Sequence, residues 1–121
     1  MKNSIKSIRS FIGAKDHTIS RAFYHDFGFE EILISEKLSY FKKEDFGFYL
    51  QDYYLKDWIE NSMLFLEVLD VSAYHSDVKK RKLESNFEGV KISRIVKQDW
   101  GQEFFMHDPA GVLWHIGSFN H

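Results

Sequence analysis

The stretch "WGQEFFMHDPAGVLWHI", Trp100 to Ile116, decides how the rest of this chain is read. "DPAG", 108–111, is a turn, with Pro109 at the position that wants its fixed φ. Apolar and aromatic residues run into the turn and out of it, so strands are expected near 102–107 and 112–118. His115 lies on the second of them, among residues built for burial, and so raises the question of a site.

Working outward, one order of elements occurs twice. "IKSIRSFIGA", 5–14, alternates loosely as a strand. Ile8, Ser10, Ile12 and Ala14 would face one side, and Arg9, Phe11 and Gly13 the other. Asp16 is placed to cap a helix over 17–27, where Ile19, Ala22, Phe23 and Phe27 have helical spacing and Gly28 is the stop. "FEEILISE", "LSYFKK" and "FGFYLQD" follow as three antiparallel strands. The linking "DYYLKDWIEN", 52–61, carries Leu55, Trp58 and Ile59 at the spacing of one or two helical turns. "MLFLEVL", 63–69, then opens a second unit that ends at Asp70 as the first strand ended at Asp16. A helix of roughly 71–86 follows, with Val71, Tyr74 and Val78 on one face, then Gly89 and strands near 90–97, 102–107 and 112–118. The fold class is therefore α+β. One domain over 1–121 holds two βαβββ modules, about 5–52 and 63–119, joined by a linker at 53–62. Side by side, the modules would form a curved eight-strand mixed sheet with helices outside and a concave face inside.

Bulk properties narrow the function. A chain of 121 residues is one compact domain, and 44% hydrophobic with 28% charged residues suits a globular fold. Aromatics reach 17%, with twelve Phe, more than a small core needs, so some should line a cavity or a subunit interface. Lys+Arg (16) and Asp+Glu (18) nearly cancel, which gives no electrostatic case for nucleic acid. No apolar run approaches a membrane span or the core of a signal peptide, so no membrane partner is expected and the location expected is cytoplasmic. The absence of cysteine excludes disulfides, thiolate-held metals and a cysteine nucleophile.

Three segments carry a family resemblance. "AKDHTISRAFYHDFGFEE" resembles the first strand end, helix and following segment of the vicinal oxygen chelate superfamily, which includes glyoxalase I, extradiol dioxygenases and bleomycin-resistance proteins. "FLEVLDV" is similar to the opening of its second module, and "HDPAGVLWHI" to the hairpin that closes it. The resemblance spans nearly the whole chain. It implies paired βαβββ modules, a homodimer and one ligand cup per sheet. In metal-dependent members, four His, Glu or Gln side chains on the cup face hold a divalent cation. The matching positions here are Arg9, Met63 and His115, each seven from Asp16, Asp70 or Asp108, and either Tyr49 or Gln51.

That donor set is poor for a metal. Arginine stays protonated and repels a cation, and a thioether is a weak ligand for hard metals. No cofactor is therefore expected; a divalent metal at a rearranged site including His115 is the remaining alternative. If the register holds, Arg9, Phe11, Met63, Phe65, Glu67 and His115 line one concavity, with Tyr49 or Gln51 beside them and Trp100 at the rim. Arg9 would clamp a carboxylate or phosphate, and Phe65 and Trp100 would stack on a flat ligand. Two functions follow: a metal-free small-molecule-binding protein, or a lyase, isomerase or dioxygenase-type enzyme. In a metal-free enzyme Glu67 would be general base, with His115 able to donate or accept a proton. The structural alternatives are an Arg9–Glu67 ion pair and a His115 bonded to Gln51 or Glu67.

Overall fold

Two aspartates start the two long helices. In the computed structural model, which describes residues 3–120, Asp16 Oδ1 accepts from the Ile19 amide at 3.1 Å and Asp70 Oδ1 from the Ala73 amide at 3.0 Å. Each bond satisfies one of the amides that a helix start leaves without a partner. Helix α1 (His17–Phe27) ends at Gly28, whose φ of 108° is the left-handed cap that a β-carbon would oppose. Helix α3 (Val71–Lys80) is shorter than the expected 71–86. Lys82 adopts φ 57°, which breaks the helix and starts α4 (Leu83–Asn86), a turn that drops Leu83 into the core.

The remaining elements are β1 (Phe11–Gly13), β2 (Glu30–Ser35), β3 (Leu38–Lys43), β4 (Phe46–Gln51), α2 (Lys56–Glu60), β5 (Met63–Glu67), β6 (Lys91–Ile92), β7 (Val96–Gln98), β8 (Gly101–His107) and β9 (Leu113–Phe119). The α+β class and the twice-repeated order of elements are as expected. Two strands differ in extent. The strand expected over 5–14 pairs only at 11–13, and Ile5 and Ile8 before it stand in solvent with nothing alongside. The strand expected over 90–97 is split, because the Ser93 hydroxyl accepts from the Phe105 amide in place of a backbone carbonyl and so interrupts the ladder.

A larger difference concerns the sheets. The expected eight-strand sheet is divided between a four-stranded sheet, β1-β4-β3-β2, and a five-stranded sheet, β5-β9-β8-β6 with β7 also on β8. Strands β1 and β5 are edges, each paired only on the side of its own module. The helix-bearing faces of the sheets turn toward one another and share one cluster: Phe41, Phe48 and Leu50 from the first sheet, Phe104, Trp114 and Ile116 from the second, and Phe23, Tyr24 and Phe27 from α1 between them. Phe48 and Trp114 meet directly, ring centroids 5.4 Å apart. Burying side chains of this size contributes about 1.5–3 kcal/mol each, enough to make the shared core the main source of stability. So α1 gives one face to the core and the other to solvent, and the sheet faces expected to form a single hollow look outward.

Candidate functional site

Strand alternation decides which side chains reach the outward faces. On β4, Phe48 and Leu50 enter the core, so Tyr49 and Gln51 point out. Tyr49 lies opposite Phe11 on β1 and Tyr40 on β3, and Gln51 one pleat further, opposite Gly13 and Leu38. Arg9 crosses this group: its guanidinium lies 4.0 Å over the Tyr40 ring and Nη1 donates to Tyr49 Oη at 3.0 Å. Phe11 stacks on Tyr49 at 4.8 Å. Of the two residues left open on this strand, Tyr49 is the one that meets Arg9.

The second outward face centres on His115. Its Nδ1 lies 2.9 Å from Glu103 Oε1, and its Nε2 lies 3.3 Å from Met63 Sδ. Gln98 Nε2 donates to the other Glu103 oxygen at 3.0 Å. An ionised carboxylate only accepts, so the Nδ1 that faces Glu103 carries a proton. Glu103 is 4% exposed, and its two neighbours satisfy both oxygens. Phe65 lies parallel to His115 with centroids 6.2 Å apart, and Phe105 meets it edge-on at 5.2 Å. Trp100 packs on Phe65 at 5.8 Å and on Phe119 at 4.9 Å.

The residues expected in one concavity thus form two groups. Phe11, Tyr49 and Gln51 lie on the first sheet with Arg9 on the segment that leads into β1, and Met63, Phe65, Glu67, Trp100 and His115 belong to the second module. Within one chain the two groups are separated by the shared core. Among the described residues Arg9 and Glu67 form no ion pair. His115 is held by Glu103, not by Gln51 or Glu67. Glu67 instead stands exposed on a cleft of about 650 Å³ between the β3–β4 turn and α3, walled by Phe29, Phe46, Leu66, Leu69 and Tyr74. Sequence reasoning missed Tyr40 and left open whether Glu103 faces the site. A signal for Glu103 existed: pairing counted outward from the Asp108 turn sets Glu103 opposite Gly117 and Phe105 opposite His115.

The positions that bind metal in the resembling proteins do not fit one here. Arg9 and Tyr49 lie on one sheet, Met63 and His115 on the other, and His115 Nε2 faces a thioether. Among the described residues no three His, Asp or Glu side chains are grouped to hold an ion.

Behind the hairpin turn sits a different polar group. Asp108 Oδ1 accepts from the amides of Ala110, Gly111 and Val112, each at 2.9 Å, and Oδ2 accepts from Tyr24 Oη at 2.6 Å. Trp114 Nε1 donates to the same hydroxyl at 2.9 Å. Burial raises the Asp108 carboxyl above its ordinary value, against the pull of its four donors. Burial and then the Asp108 charge push the Tyr24 hydroxyl well up. These groups are spent on the fold.

No protein-family model matches the sequence, and no curated protein matches it. Solved structures do. A bleomycin-binding protein from bleomycin-producing Streptomyces verticillus, complexed with copper(II)-bleomycin, superposes with a TM-score of 0.78 at 18% identity, covering 97% of this chain and 100% of that one. TnmS3, an antibiotic binding protein from Streptomyces sp. CB03234, gives 0.73 at 19% identity, covering 99% of each chain. Lactoylglutathione lyase from Agrobacterium tumefaciens gives 0.68 at 19%, covering 95% of each. No helix among the described residues is long and apolar enough to cross a membrane. With paired βαβββ modules in this order, the chain has the fold of the vicinal oxygen chelate superfamily, shared by bleomycin-binding and glyoxalase-like proteins.

Proposed function

We propose that the protein binds a small organic molecule, with no resident metal, in a cup completed by two copies of the chain in the cytoplasm. The observation that carries this reading is the placement of an aromatic half-site near one edge of each sheet: Arg9, Phe11, Tyr40 and Tyr49 toward β1, and Met63, Phe65 and His115 toward β5. An unpaired edge is a template for another strand. Meeting of β1 from one copy with β5 from another would join the two kinds of sheet and set the half-sites side by side. Met63, Phe46 and Leu69, which stand 63%, 71% and 105% exposed near the β5 edge, would then be covered. Bleomycin-binding and antibiotic-binding proteins share this fold.

Native mass spectrometry and thermal shift test the reading together. The expected result is a dimer whose melting temperature rises with at least one flat organic compound from a panel that includes bleomycin. A monomer at micromolar concentration that no compound stabilises would defeat it. An acid–base enzyme is the second reading, favoured by the Glu103 carboxylate that orients His115 through Nδ1 and turns Nε2 to the surface beside Met63 Sδ. Turnover abolished by His115→Ala, with binding retained, would select it.

A further inference from the structure

We infer that the ligand is a planar aromatic anion, seated by its acidic group on Arg9; this rests on the reading of the outward aromatic faces as the ligand surface. Arg9 is partly buried, yet among the described residues no carboxylate lies within ion-pair distance of it. A guanidinium partly covered by aromatic rings, with no counter-charge beside it, keeps its charge available to an anion. Its placement is fixed in advance. The group lies 4.0 Å over Tyr40, and one nitrogen is committed to Tyr49 Oη. The other donors of the planar fork stay open, in the geometry that takes a carboxylate or phosphate by two parallel hydrogen bonds. Phe11, 48% exposed and stacked on Tyr49, continues the same wall as a flat apolar surface for a ring.

On the other half-site both Glu103 oxygens are already bonded, to His115 and Gln98, and the exposed Glu67 stands beside Phe65 on the Phe46–Leu69 cleft. Carboxylate and phosphate monoester share the chemistry that Arg9 recognises.

Calorimetric titration of the full chain with 2-naphthoate, 2-naphthamide, 2-naphthylmethylammonium and 2-naphthyl phosphate tests the inference. The carboxylate should bind at least tenfold tighter than the amide, and the ammonium weaker than either. Arg9→Gln should erase the acid-to-amide ratio, and Arg9→Lys should restore part of it. Phosphate tighter than carboxylate assigns the anion to a phosphate ester, and the reverse order to a carboxylic acid; both support Arg9 as its seat. An acid-to-amide ratio near one, or a ratio that survives Arg9→Gln, overturns the inference. If Arg9→Gln fails to fold, the wild-type ratio and its fall with added salt decide alone, and a ratio near one is again the overturning result. Equal binding of acid and amide, both abolished by Phe65→Ala, would sink the anion while leaving the ligand cup standing. No binding by any probe to a monomeric chain would sink both.

Discussion

The Asp108 network and the His115 face hold similar chemistry to opposite ends. In the first, a carboxylate, a phenol and an indole are buried together, and the carboxylate accepts from four donors. In the second, a carboxylate is buried under a histidine whose far nitrogen meets only a thioether at the surface. A polar group that is fully partnered inside a core fixes structure, and removing a partner there exposes the full desolvation cost. A polar group partnered on one side only keeps a hydrogen bond to give. Arg9 follows the second pattern on the other sheet, with one donor used and the rest open. The polar groups that build the fold and those available to a ligand are therefore separate sets, on opposite sides of the same strands.

Asp108→Ala is the strongest way to break that separation. It strands three amides and the Tyr24 hydroxyl in a buried turn, and should cost about 3–5 kcal/mol in urea denaturation. A loss below about 1 kcal/mol would mean that the network does not seat the hairpin. Acid comes next, through a third group that ties α1 to the first sheet. Burial alone would raise the Glu31 carboxyl, but donation from Arg21, Ser39 and His25 outweighs it and lowers the pKa from 4.5 to about 2. The unfolded chain therefore takes up this proton first as pH falls. The contribution is complete above pH 4.5 and disappears as pH drops toward 2, with an upper magnitude of about 3 kcal/mol before solvent screening at the partly exposed Arg21. Glu31→Gln should flatten the stability of the wild type across that window; an unchanged acid limb would remove Glu31 from the account. The smallest effect on folding belongs to His115→Ala. It leaves Glu103 with Gln98 as its donor and should cost about 1–2 kcal/mol, while ligand affinity falls tenfold or more. A loss as large as that of Asp108→Ala would place His115 with the structural set instead.

Local chemistry made much of this legible. Asp16, Gly28, Asp70 and the 108–111 turn mark boundaries because a cap or a turn is settled within a few residues of itself. Alternation on β1, β4, β5 and β9 told which residues share a face, so Arg9 with Phe11, and Met63 with Phe65, were placed correctly. The helix break at Lys82 and the Ser93 interruption escaped because each depends on contacts outside its own segment: Leu83 entering the core, and a hydroxyl reaching β8.

The sequence by itself determined the class, the repeated order of elements and which residues of β1, β5 and β9 share a face, since those follow from period, caps and turns along the chain. Only the tertiary structure decided that Tyr24 meets Asp108 and Trp114, that His115 is held by Glu103, and that the two sheets bury their helix-bearing faces together and turn their aromatic half-sites outward. Residues so distant in sequence meet through strand register and the packing of one shared core, which no local pattern encodes.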